Sequence, residues 1–343
     1  MGLIISTTIA GPGTGPILLD ALASVAPIVD AHLVIDTSPE GAPAAFATDD
    51  PRVIFRRWPW RDDFGAARNA ALDFAVELGA TWAITVDTDE RILIGAFRQD
   101  MLTTMAPALS LAYEDGSYTK PRAFRLPCQA RWHGRTHEAI AIDAPTVQGA
   151  AFTELPKTAE QLRAKRLRDV TLLAKMIAEE PSDARWRYYR ADALHALGYY
   201  PAAVQSWEDC AEMSAWDEEA AWSCYRAADA LLFALGEPLF ALERCLAGMS
   251  KHPGIAELPW LAAIACQRLG RHEHALYWAA LARTHGESAR GPWRALDHRR
   301  GFRAVKGLRH GPADVERFSL RAVGASESDV AAAEMEFALG QRP

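Results

Sequence analysis

Cysteine is scarce in this chain and follows no pattern: Cys128, Cys210, Cys224, Cys245 and Cys266 are the five in 343 residues, and none forms a C-x-x-C pair. An odd, scattered set fits reduced thiols and indicates neither a disulfide framework, a structural zinc nor a cysteine nucleophile. Long apolar runs are also missing. No stretch approaches the ~20 residues of a bilayer-spanning helix. The apolar start, Met1-Gly-Leu-Ile-Ile-Ser-Thr-Thr-Ile9, lacks a basic n-region and runs into glycine and proline. It does not read as a secretory signal, and a cytoplasmic location is the expectation. Positive charge is not in surplus: 37 Lys+Arg face 44 Asp+Glu, and a net charge of −7 argues against the whole chain as a polyanion binder. Arg294, Arg299, Arg300, Arg303, Lys306 and Arg309, opposed only by Asp297, form a local basic exception whose simplest role is a solvated face. With 50% hydrophobic and 24% charged residues, the composition is that of a globular protein long enough for two domains.

Two periodicities divide the chain. Up to about residue 150, short apolar runs alternate with helical stretches: Leu3–Ile9, Ala31–Ile35, Val53–Phe55 and Trp82–Val86 read as strands, and Ile17–Val25 and Phe64–Leu78 as crossover helices. That alternation predicts a parallel sheet, which Leu109–Tyr113 and Arg122–Leu126 extend, with antiparallel pairing as one option. From Lys157 onward the pattern is helical. Gly198, Gly236 and Gly270 each stand five residues before an alanine (Ala203, Ala241, Ala275), at spacings of 38 and 34 residues. A 34-residue period is that of a tetratricopeptide repeat, in which glycine ends one helix and alanine lets the next approach closely. An unrelated helical bundle with Leu-Gly turns is the alternative. The boundary is expected near Pro145–Pro156, giving domains 1–155 and 156–343. Leu162–Ile177 then serves as a connecting helix whose Arg163, Lys165, Arg166 and Arg168 form a solvated face.

Several segments carry residues suited to chemistry. The strand ending at Val86 runs into Asp87-Thr-Asp89-Glu90, at the sheet edge where open α/β folds place ligands. Two carboxylates one residue apart can share a Mg²⁺ or Mn²⁺ ion and a diphosphate, or can simply solvate a turn. In Trp60-Arg-Asp-Asp-Phe-Gly-Ala-Ala-Arg-Asn69, a helix start and Arg68 can together receive phosphate oxygens; otherwise Asp62 or Asp63 is an N-cap and Arg68 a surface charge. Asp36 ends a strand and can accept from a ribose or open a turn. Arg131-Trp-His-Gly-Arg-Thr-His-Glu138 is dense in functional groups. His137 can complete a metal shell with Asp89, Glu138 can act as a general base, and Trp132 can offer a platform to a sugar or base. In the structural alternative, Glu138 pairs with Arg135.

Together, Val34-Ile-Asp-Thr37, Trp60 through Asn69, Trp82 through Glu90 and Trp132 through Glu138 resemble glycosyltransferase family 2, in its bacterial and phage branch that adds tetratricopeptide repeats. Arg185-Trp-Arg-Tyr-Tyr-Arg190, Trp216–Glu219 and Ala256–Pro259 look like the helical part of that branch. The resemblance implies a GT-A domain, α/β and Rossmann-like with a mostly parallel sheet, followed by an all-α repeat domain. It implies a metal-dependent inverting transfer from a nucleotide-sugar, UDP-sugar foremost, to a hydroxyl or thiol on a peptide, glycan or modified DNA base. Asp87, Asp89 and His137 would hold Mn²⁺ or Mg²⁺. Asp36, Arg68, Asp87 and Trp132 would bind the donor, and Glu138 or Glu90 would be the base. The loop after Asp36 and the first strand's Gly11-Pro-Gly13 end depart from the family's turns. A nucleotidyltransferase would also use Asp-x-Asp. A rival of another class is a non-catalytic scaffold, in which a decayed transferase domain supports repeats that dock a protein partner.

Overall fold

The β-branched run Leu3–Ala10 forms β1, buried along nearly its whole length, and the sheet is built outward from it. The computed structural model describes residues 2–40, 48–95, 97–285 and 312–332. Gly41 of the loop after Asp36 and the basic stretch from Arg294 to Arg309 lie outside the described residues. The chain divides into two compact units, residues 1–162 and 163–343.

In the first unit, α1 (Gly15–Val25) follows β1, then β2 (Ala31–Asp36), β3 (Val53–Arg57), α2 (Phe64–Glu77), β4 (Ala80–Thr85), β5 (Glu90–Leu93) and α3 (Phe97–Thr103). β6 (Ala108–Tyr113), β7 (Thr119–Arg125), the short pair β8 (Trp132–His133) and β9 (Ala139–Ile140), and β10 (Thr146–Glu154) complete it. The eight-stranded sheet has the order β3-β2-β1-β4-β7-β6-β10-β5. β3, β2, β1 and β4 are parallel. β7 is antiparallel to β4 and to β6, and β10 is parallel to β6 but antiparallel to β5. The sheet is therefore mixed, with four parallel and three antiparallel pairings. A short turn joins β6 to β7, and strands joined without a crossover can only pair antiparallel. α2 lays Ala71, Leu72 and Ala75 on one face, against Ile5, Leu33, Ile35 and Phe124. The opposite face packs Ile4, Ile84 and Val86 with Ala21 and Val25 of α1. The expected linker at Pro145–Pro156 is instead strand β10, inside the sheet.

The second unit is helical. α4 (Ala159–Glu179) leads into α5 (Ala184–Ala196), α6 (Tyr200–Met213) and α7 (Asp217–Ala230), which a π-helical turn, Leu231–Leu235, prolongs. α8 (Pro238–Lys251), α9 (Glu257–Arg268), α10 (His272–His285) and α11 (Pro312–Ala322) follow. From α5 to α11 each helix packs against the next. Gly198, Gly236 and Gly270 take φ of 85°, 74° and 71°, the left-handed conformation that ends a helix, after α5, the π-helical turn and α9. Ala203, Ala241 and Ala275 are fully buried on α6, α8 and α10. These are TPR-like helical hairpins, with glycine stopping the first helix and alanine admitting the second. α7 and α9 are buried around their whole circumference, over 219–228 and 255–266. Their alanine-rich sequences permit this, and Trp222 and Trp260 fill the remaining volume. Among the described residues no helix is long and apolar enough to cross a membrane.

Ala241→Leu inserts three heavy atoms at a fully enclosed position, and overpacking there is expected to cost about 2 kcal/mol. Urea unfolding of the full chain checks it; an unchanged midpoint would show that α8 does not pack as described.

Candidate functional site

The chain leaves β4 at Thr85, and Val86 N–H still bonds to Thr7 of β1 at 3.0 Å, so Asp87 stands at the carboxyl edge of the parallel strands. Asp87-Thr-Asp-Glu90 is a turn closed twice. Glu90 N–H donates to the Asp87 carbonyl at 2.9 Å, and Asp87 N–H donates to Glu90 Oε2 at 3.2 Å. Both Asp87 carboxylate oxygens face cations. Oδ1 accepts from Arg68 Nη2 at 2.8 Å, and Oδ2 accepts from Arg122 Nη2 at 3.2 Å. Arg68, on α2 and only 8% exposed, also donates through Nε to Glu138 Oε1 at 2.7 Å. Glu90, 1% exposed, accepts from Arg122 and, at 3.1 Å, from Lys120 Nζ. Lys120 continues to Glu154 Oε1 at 2.6 Å, and Lys157 pairs with Asp89. A chain of alternating charge thus runs Glu138–Arg68–Asp87–Arg122–Glu90–Lys120–Glu154 and ties α2, β5, β7 and β10 together.

This geometry sets the protonation states. Burial disfavours the charged form of Asp87, but the Arg68 and Arg122 guanidiniums outweigh it and hold its carboxyl well below the usual carboxylate range. Burial likewise opposes charge on Glu154, and the Lys120 ammonium overrides it, lowering that carboxyl too. Arg68 and Arg122 remain cations, because the carboxylates beside them more than offset burial.

The residues expected to meet a ligand are engaged with other parts of the chain. The N-terminus of α2 does not present open donors. Phe64 N–H bonds to the Arg135 carbonyl at 3.0 Å, Gly65 N–H to the Gly134 carbonyl at 3.1 Å, and Asp63 caps Ala66 N–H at 2.8 Å. The loop lies so close that a Cβ at Gly65 would come within 2.7 Å of the Gly134 oxygen. Arg68 is not a surface charge. Trp132 is no open platform: it is 8% exposed, lies beneath the Arg68 guanidinium at 5.2 Å and sets its edge to Phe124. Asn69 grips the Trp132 backbone with two bonds of 2.9 Å, one to the carbonyl and one from the N–H. Asp36 is buried and accepts from Ser38 N–H at 3.0 Å, so it opens a turn. His137 sits in the Arg131–Glu138 loop with φ of 52°. Among the described residues no three His, Cys, Asp or Glu side chains are grouped to hold a metal ion. Of the three residues expected to hold Mg²⁺ or Mn²⁺, Asp87 faces Arg68 and Arg122, Asp89 pairs with Lys157, and His137 lies in the loop that follows β8. Glu138 and Glu90, the two candidate bases, are engaged by Arg68 and by Arg122 with Lys120.

Four partners escaped sequence reading: Lys120, Arg122, Glu154 and Lys157. The two cations of β7 stand two residues apart, so they share one face of an interior strand. Charges there require countercharges, and that spacing was the available signal.

No protein-family model matches the chain, and no curated protein does. Solved structures similar to it include MamA and a protein with TPR-like repeats. A MamA crystal structure is 12% identical, covers 53% of this chain and 84% of its own, and has a TM-score of 0.38. MamA from Desulfovibrio magneticus RS-1, residues 41 to the end, is 16% identical over 53% and 90%, with a TM-score of 0.35. A Podosopora anserina putative kinesin light chain with nearly identical TPR-like repeats is 16% identical over 53% and 92%, with a TM-score of 0.36. The resemblance to glycosyltransferase family 2, and the enzymatic reading drawn from it, are corrected to this extent: no family model and no curated protein matches the chain. The carboxylates assigned to donor, metal and base, Asp87, Asp89, Glu90 and Glu138, each meet an arginine or lysine of the same chain.

Arg68→Ala strands Asp87 and Glu138 in a partly buried site, and breaking such a pair is expected to cost about 3 kcal/mol at pH 7. A depressed carboxyl stabilises the native state fully above its unfolded value and ceases to do so as pH falls through the native one. The natural chain should therefore lose stability steeply below about pH 4, and the variant less steeply. Urea midpoints at pH 7, 5 and 3 measure both; parallel pH profiles would show that the network carries no such load.

Proposed function

We propose that this chain is a non-catalytic scaffold, in which TPR-like helical hairpins dock a protein partner and the α/β unit is a structural platform. The observation that carries this reading is the saturation of the strand-end carboxylates. Asp87, Asp89, Glu90 and Glu138 each meet an arginine or lysine of the same chain, so they act as cross-links between elements. Helical hairpins stacked by neighbour contacts supply surface without requiring chemistry, and short repeats of this kind commonly serve recognition. The repeats suggest protein partners. The sequence-derived donor, a UDP-sugar, finds no support in the arrangement of Asp36, Arg68 and Trp132.

The test has two arms. In a thermal-shift series with UDP-, GDP-, CMP- and TDP-sugars, with and without Mn²⁺, no change in melting temperature is expected. In cross-linking from cell extract, the full chain and Asp89→Ala should retain the same protein partner, and Ala241→Leu should lose it. A metal-dependent rise with one nucleotide-sugar, absent in Asp89→Ala, would overturn the scaffold reading. So would the absence of any partner that depends on intact repeats.

A further inference from the structure

Helix α8 carries apolar residues on two opposite faces, and the helical unit, residues 163–343, packs only one of them. Ala241, Leu242, Cys245 and Gly248 are buried and form the inward face. Contact there is close: a Cβ added at Gly248 would come within 2.8 Å of Leu258 on α9 and 2.9 Å of Cys224 on α7. Leu239 and Leu246 lie two turns apart on the outer side, with Phe240 beside them. Leu239, Phe240 and Leu246 are 45%, 53% and 44% exposed.

The repeat does not ask for large apolar residues at these positions. Ala203, Ala241 and Ala275 hold the same place in successive hairpins. By that register Leu239, Phe240 and Leu246 correspond to Pro201, Ala202 and Glu208 on α6, and to Glu273, His274 and Ala280 on α10. A helix apolar on both sides is ordinarily covered on both, as α7 and α9 are. Glu243 sets the chemistry of what can lie on α8. It stands on the outer face one turn from Leu239 and from Leu246, is exposed, and among the described residues has no ion-pair partner. Arg244, by contrast, is used on Glu208 at 3.3 Å. A second copy laid antiparallel over the same leucines would set Glu243 against Glu243, which disfavours self-pairing. A negative charge at the centre of an apolar patch fits a cation of a partner instead.

We infer that the outer face of α8 docks a basic amphipathic helix of a protein partner. Apolar residues of that helix lie on Leu239, Phe240 and Leu246, and a lysine or arginine between them meets Glu243. The inference rests on the scaffold reading and gives the partner its chemistry.

The experiment uses the full chain and two short fluorescein-labelled helical peptides with a leucine stripe, one flanked by lysines and one by glutamates. Fluorescence anisotropy should show the lysine peptide binding, more weakly as salt rises. L239Q/L246Q should weaken it about tenfold, E243K should weaken it more than E243Q, and E273Q on α10 should leave it unchanged. Melting temperatures of these variants should stay at that of the natural chain, because the replaced side chains are exposed. A fall of more than about 5 °C with L239Q/L246Q would show that the leucines pack within the chain, and would overturn the inference. Equal binding of the glutamate peptide, indifference to the leucine variant, a dimer in sedimentation that L239Q/L246Q abolishes, or leucine-dependent binding to phosphatidylcholine vesicles would each overturn it too. If L239Q/L246Q keeps the cross-linked partner and Ala241→Leu loses it, the scaffold stands and the α8 site falls. If neither variant matters, the scaffold reading falls.

Discussion

The structure of the first unit depends on one guanidinium. Arg68 is buried on α2, and a charge removed from water at that depth must be compensated or it costs several kcal/mol. Asp87 and Glu138 compensate it from two sides, and the Trp132 ring lies beneath it. Helix α2, the exit of β4 and the Arg131–Glu138 loop are therefore one piece, though Arg68 and Glu138 stand 70 residues apart in sequence. The loop returns the constraint by closing the first N–H groups of α2 with its own carbonyls. Helix and loop thus hold each other through backbone bonds.

Arg122 has the same role on the neighbouring strand. It faces Asp87 and Glu90 from β7, which lies inside the sheet, and a buried ladder of alternating sign results. Such a ladder adds little stability over an apolar core, but breaking one member strands its neighbours. Its effect is to specify how β5, β7 and β10 sit against the parallel strands, in the half of the sheet where direction alternates.

Much of the fold could be read from the residues. β-branched runs marked β1, β2 and β4, and the glycine–alanine spacing marked the helical hairpins, because both signals are local. β10 was not legible: Thr146–Glu154 is interrupted by Gly149, whose φ of 77° bends the strand and whose carbonyl crowds Gly95. The candidate site was legible as a set of residues, while the cations that meet them were not. Asp87, Glu90, Arg68 and Glu138 do converge, yet a carboxylate at a strand end looks the same whether it serves a metal or an arginine. The deciding cations, Lys120 and Arg122, are 30 or more residues from the acids they meet.

The encasement of α7 and α9 has a consequence for how the second unit comes apart. A stack in which each hairpin touches only its neighbours can fray from its ends, one repeat at a time. Here α7 also touches α9, and α9 also touches α11, so two central helices are shared by several hairpins at once. Removing an outer hairpin would expose the Trp222 and Trp260 surroundings that the others need, which couples the repeats into one cooperative block. Loss of one hairpin is then felt by all, so the described helices are expected to unfold together rather than unravel in steps.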